Sequence, residues 1–262
     1  MVQFAEAFPD EAIVSTLSTQ LTWSHFIEIL PLRQPLEREY YAELCRVERW
    51  SVRTLRERIA SQLYLRTAIA KQPEEAVRAE ISHLRAGGQM TPDMVFRDPY
   101  MLEFLGLPHG YSESDLEAAI LREMEHFLLE LGAGFAFVAR QKRISVGADD
   151  FYLDLLFYHR RLHRLIAIDL KLGKFKAQYK GQMELYLRWL EKNEMEPDEE
   201  TPLGLLLCTE GGNEQIELLQ LDKAGIKVAQ YMTELPPKEL LQKQLQKSII
   251  EAKARIENQS AE

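Results

Sequence analysis

Hydrophobic positions recur every three or four residues through the first hundred residues, then change to continuous or alternating runs near the middle of the chain. Thr22 stands before Trp23, Phe26, Ile27 and Ile29, which predicts a capped helix ending near Pro31. Leu36, Tyr40, Leu44 and Val47 keep helical spacing after Pro35, whose fixed φ suits a first helical turn. Ser51 caps a third helix carrying Leu55, Ile59 and Leu63 on one side. A fourth is expected from Pro73 to Arg85, closed by Gly87 and Gly88. Thr91 to Tyr111 is rich in Pro and Gly, with a short helix after Pro99, and marks a domain boundary.

Glu113 to Leu131 reads as a helix, with Leu116, Ile120, Phe127 and Leu131 in period and Gly132 at its end. Phe135 to Val146 and Phe151 to His159 read as strands, separated by Gly147 to Asp150. A third strand, Leu165 to Lys171, follows the basic loop Arg160 to Arg164. Phe175 to Lys192 is helical, and the apolar run Leu203 to Cys208 reads as a buried strand. The order is helix, three strands, helix, strand, an α/β arrangement. A polar helical tail is expected from Pro237 onward.

The 262 residues suit one large or two small domains. No apolar run reaches the roughly 18 residues a membrane helix needs, and Met1 to Asp10 does not resemble a signal peptide. Cys45 and Cys208 are far apart, which argues against a disulfide framework or a cysteine zinc site and makes a cytoplasmic location the expectation. The net charge of -9 argues mildly against nucleic-acid binding. Yet Ala139 to Lys180 holds ten Lys or Arg residues against four Asp, and the acidic excess lies elsewhere, notably in Glu191 to Glu200. A basic segment of this kind is compatible with a nucleic-acid groove.

The candidate chemistry sits on two of the strands. Asp154 is the one charged residue of its apolar strand, and Asp169 and Lys171 share one face of the next. Pairing the two strands through the short loop sets residue i opposite residue 323 − i, and so Asp154 opposite Asp169. Facing carboxylates among apolar neighbours repel unless something positive lies between them. A divalent cation fits, and hard oxygen ligands favour Mg2+ or Mn2+. Lys171 would add a fixed positive charge, and the set could activate water and steady the charge building on a phosphate. Alone, a D-x-K strand is more often a buried ion pair; the opposed second Asp moves the reading to a metal site. Glu117, on the preceding helix, could add a third carboxylate, or it could close a capping box with Ser114. Gln182 and Tyr186, one helical turn apart, could face the site or the nucleic acid, or form a polar pair on an amphipathic helix. Arg140, Lys142 and Arg143, with Lys174, Lys176 and Lys180, flank the candidate metal and could hold a nucleic-acid backbone. Arg46, Arg49, Arg53 and Arg56 form a stripe, read as salt-bridged surface because Glu39, Glu43, Glu48 and Glu57 lie nearby. Trp23 and Trp50 are read as core.

The segments Gly134 to Ile144, Phe151 to Arg161, Ile168 to Phe175 and Gly181 to Tyr186 resemble the YhcG-type PD-(D/E)XK nuclease domain. Leu21 to Phe26 and Arg46 to Leu55 resemble the helical N-terminal domain of the same family. The resemblance implies a restriction-endonuclease-like αβββαβ core preceded by an all-α, winged-helix-like domain. It implies Asp154, Asp169 and Glu117 as metal ligands, Lys171 as the catalytic lysine and Gln182 as an accessory glutamine. Asp169 stands where close relatives carry Glu, one methylene longer, which shifts the expected metal geometry. Family members begin well before this Met1, so a shortened winged-helix unit is expected. The expected domains are 1–97, helical; 98–240, nuclease; and 241–262, a helical tail.

Three readings follow. The leading one is metal-dependent hydrolysis of DNA, with RNA left open. The second is a silent nucleic-acid-binding or scaffold protein that kept the nuclease fold. The third is an interaction module whose helical half mediates assembly, compatible with a homo-oligomer.

Overall fold

A computed structural model describes residues 20–71, 78, 81–82, 91–96, 98–210, 216 and 218–243. The chain divides into two compact units, Met1–Gln89 with Pro236–Glu262, and Met90–Leu235.

The first unit is helical. Its described helices are α1 (Trp23–Ile29), α2 (Pro35–Glu48), α3 (Val52–Ala60) and α4 (Leu63–Lys71). Pro35 occupies the first turn of α2, and Ser51 caps α3 by accepting from the Thr54 amide at 3.1 Å. The core gathers Phe26, Ile29, Leu36, Tyr40, Tyr41 and Leu55, and Leu241 from the C-terminal segment joins it. Trp50 is buried, whereas Trp23 is half exposed and lies outside the core. Of the arginine stripe, Arg53 pairs with Glu57 and Arg56 with Glu28 toward the surface, whereas Arg46 pairs with Glu43, whose side chain is buried. The helix expected from Pro73 to Arg85 and most of the expected tail lie outside the described residues.

The second unit is built on a six-stranded sheet. After the short helix α5 (Pro92–Val95) come β1 (Tyr100–Met101), α6 (Glu113–Arg122), α7 (Met124–Leu131), β2 (Phe135–Val146), β3 (Asp149–His159), β4 (Arg164–Lys174), α8 (Ala177–Asn193), β5 (Leu203–Glu210) and β6 (Ile226–Met232). The spatial order is β1-β6-β5-β4-β3-β2. The first three neighbour pairs are parallel, and β4–β3 and β3–β2 are antiparallel. From α6 to β5 this is the restriction-endonuclease-like αβββαβ core. The helix expected as one piece breaks at Glu123, whose φ of -105° and ψ of 32° leave the helical region.

β4 is central, with its residues from Leu165 to Lys171 buried, as expected of a strand covered on both faces. Ile166, Ile168 and Leu170 pack with Leu116, Ile120 and Phe127 of α6 and α7. Leu165 and Ala167 point the opposite way, into a core with Tyr179, Met183 and Leu187 of α8. Gly204 of β5 lets α8 approach closely, since a Cβ there would stand 2.6 Å from Cγ of Met183. β2 is the sheet edge, blunted by a register shift between Phe137 and Ala139 and by Arg140, Lys142 and Arg143. Cys45 and Cys208 are free thiols buried in the first and second unit respectively.

Candidate active site

The site forms where β3 and β4 part. Their ladder runs from His159–Arg164 to Leu155–Ile168, with each residue opposite 323 − i, the register expected from the short loop. Past Ile168 β4 stays paired with β5, but its ladder with β3 ends and side chains meet its backbone. The Leu170 amide donates to Oδ2 of Asp154 at 2.8 Å. The Leu172 amide donates to Oε1 of Glu113 at 3.0 Å, and the Gly173 amide to Oγ1 of Thr209 at 2.6 Å. Three backbone donors that would otherwise lack partners thus fix the position of two carboxylates and a hydroxyl around the fork.

Asp169 is 2% exposed, and the Asp154 carboxyl is near enough for its charge to act on it. Nζ of Lys171 donates to Oδ2 of Asp169 at 2.8 Å, lies 4.0 Å from Glu113 and sits 5.4 Å from the centre of the Tyr179 ring. Burial, together with the neighbouring Asp154 charge, pushes the Asp169 carboxyl up to about 7, although Lys171 opposes the shift. Burial draws the Lys171 ammonium down, but Asp169, Asp154 and Glu113 outweigh it, and the net shift is upward. Lys171 is therefore firmly cationic at neutral pH.

Glu117 reaches the same place from α6. The capping box of that helix is Ser112 with Asp115, not Ser114 with Glu117: the Asp115 amide donates to Oγ of Ser112 at 3.1 Å and the Ser112 amide to Asp115 at 2.9 Å. Glu117 is thereby left to face an open cleft of about 490 Å³, lined by Glu113, Arg140, Gln141 and Asp154 among others. Two contributors escaped the sequence reading. Glu113 stands in the first turn of α6, where an acidic residue suits any helix, and Gln141 stands in β2 between Arg140 and Lys142, so neither residue type signals the cleft.

Two assignments are corrected. The Tyr186 ring is fully buried and its hydroxyl donates to the Tyr152 carbonyl at 3.1 Å, so it does not reach a nucleic acid. Gln182 donates to that hydroxyl at 2.5 Å. Lys180 donates to the Leu219 carbonyl at 3.2 Å and lines a different cavity, of about 1170 Å³, which contains none of the carboxylates at the fork. The other basic residues are accessible to differing degrees. Lys142 pairs with Glu194 and Arg143 with Asp150, whereas Lys174 is 4.0 Å from Glu210 and largely exposed, and Lys176 is exposed.

The donors fit a hard divalent ion. Among the described residues no three acidic, histidine or cysteine side chains converge on a single point. The buried Asp169 beside Asp154, which lines the open cleft, nonetheless matches the way Mg2+ is commonly held, by one or two carboxylates with water and phosphate completing its shell.

Residues 93–247 match the family described as the YhcG PDDEXK nuclease domain, and residues 1–66 match the DUF1016 N-terminal domain. YhcG of Escherichia coli (strain K12) is 40% identical over 208 residues, covering 78% of this chain and 55% of that protein. The chain thus spans about half the length of this relative. Among solved structures, a repair endonuclease from Pyrococcus abyssi aligns at 23% identity over 50% of each chain, with a TM-score of 0.34. An EndoMS–dsDNA2 complex aligns at 18% identity over 50% of this chain and 48% of that one, with a TM-score of 0.36. Among the described residues no helix is long and apolar enough to cross a membrane.

Proposed function

Because this chain belongs to the YhcG PDDEXK nuclease family, we propose that it hydrolyses phosphodiester bonds in DNA with the help of Mg2+ or Mn2+. The observation that carries this reading is the meeting of Asp154, Asp169 and Lys171 at one strand fork, with Lys171 2.8 Å from Asp169. Asp154 and Asp169 would hold the ion, with Glu117 joining from α6. Bound there, the ion supplies the Lewis acidity that polarises a phosphate ester and makes a water acidic at neutral pH.

The chain's own groups supply the rest. Lys171 keeps a proton and directs its ammonium toward the charge that develops on the phosphate. Its freedom is limited by Asp169 and the Tyr179 ring, so little reorganisation is needed as that charge grows. Gln182 sets the Tyr186 hydroxyl, which ties α8 to β3 behind the site. Arg140 lines the cleft and offers a bidentate phosphate contact. Lys142, Arg143, Lys174 and Lys176 would meet the backbone farther along the strand.

The test is cleavage of plasmid, linear DNA and RNA by the purified chain, with Mg2+, Mn2+ or EDTA. Cleavage of DNA that requires the metal and falls at least about 100-fold in both Asp169→Asn and Lys171→Met, with folding checked by circular dichroism, is the expected result. Metal-dependent nucleic-acid binding with no cleavage would favour the silent scaffold, and cleavage of RNA alone would replace DNA as the substrate.

A further inference from the structure

Gln141 lies between Arg140 and Lys142, which pair with Leu155 and Leu153, and is therefore opposite Asp154 across the β2–β3 ladder. Its φ is 43°, in the left-handed region that residues with a Cβ seldom enter, least of all within a strand. That backbone twist directs its side chain into the cleft beside α6. There Nε2 donates to Oε2 of Glu117 at 2.7 Å and to Oδ1 of Asp154 at 3.2 Å. A single amide nitrogen has two protons, and here each is given to a carboxylate from a different element. The positive end of its dipole thus lies between two negative groups. Without it, Glu117 is a partly exposed helix side chain with several rotamers open to it.

We propose that Gln141 is a positioning residue of the metal site: its carboxamide holds Glu117 toward Asp154 and keeps its bond to Glu117 while an ion takes lone pairs the carboxylates have left. The inference rests on the metal-site reading above, and adds that the third carboxylate is recruited by β2 and not by the helix that carries it. A strained backbone held for one side-chain contact pair fits such a role, because strain of this kind persists where the surroundings enforce it.

The test is calorimetric titration of the full chain with MnCl2, which needs no turnover. Gln141→Ala and Gln141→Gly are each expected to weaken Mn2+ binding roughly tenfold, the range seen when groups that orient metal ligands are lost. Gln141→Gly also relieves the backbone, so its melting temperature should equal or exceed that of Gln141→Ala while its Mn2+ affinity stays equally poor. In a Glu117→Ala background, Gln141→Ala should change the affinity less than twofold, because its effect passes through Glu117. Unchanged affinity in both single variants, or the full loss repeated in the Glu117→Ala background, would overturn the role of Gln141 and leave the metal site standing. A wild-type chain that binds no Mn2+ would overturn both.

Discussion

Asp169 shows how one buried carboxylate links stability to chemistry. Its folded-state pKa is raised, by burial first and by Asp154 second. The folded chain therefore binds a proton there more tightly than the unfolded chain does. Without metal, the associated stability is complete below about pH 4 and is lost as pH rises through about 7. The melting temperature of the EDTA-treated protein should fall between pH 5 and pH 8. Asp169→Asn should flatten that part of the profile and melt at a higher temperature at pH 8. A slope that survives in the variant would exclude Asp169 as its source. At Asp154 the same swap gains less, since both of its oxygens already accept hydrogen bonds, from the Leu170 amide and from Gln141. At this scale the sequence was legible where side-chain alternation alone decides direction, as for Asp169 and Lys171. It was not legible where a residue leaves the regular backbone. The left-handed φ of Gln141 carries no signal in its residue type, which is why its place beside Asp154 went unseen. Tyr186 misled for a related reason: helical spacing set it beside Gln182, but the depth of the core it enters is fixed by the sheet beneath.

Element by element, legibility followed length and periodicity. The three antiparallel strands and α8 stand within a few residues of their expected limits. β1 has only two residues, too few for a period to exist, and it forms because parallel β6 presents an edge to Tyr100 and Met101. β6 itself is short, and Lys227 and Gln230 interrupt its apolar run, so tertiary pairing with β5 defines it. The break between α6 and α7 at Glu123 has neither Gly nor Pro to announce it. The contact between α8 and β5 can be tested at Gly204, where an added methyl meets the middle of the buried Met183 side chain instead of its tip. Gly204→Ala should lower the stability measured in urea by about 1–3 kcal/mol, as overpacking does. An unchanged midpoint would mean that Met183 repacks freely and that the close approach is not required.

The whole molecule consists of two units with separate cores, and each encloses one unpaired sulfur. Cys45 is packed among the helices of the first unit, and Cys208 lies on β5 beside Lys171 in the second. Burial raises both thiols, Cys45 to about 12 and Cys208 to about 11, so neither is a nucleophile while the chain is closed. A slow alkylating reagent consequently works as a pair of clocks, each advancing only when its own unit opens. An ion bound at the fork stabilises the unit that contains Cys208, and Mg2+ at ten times its dissociation constant should slow that clock roughly tenfold while the Cys45 clock keeps its rate. Mass spectrometry of the two labelled peptides reads both at once, and equal slowing of the two would mean that the units do not open separately.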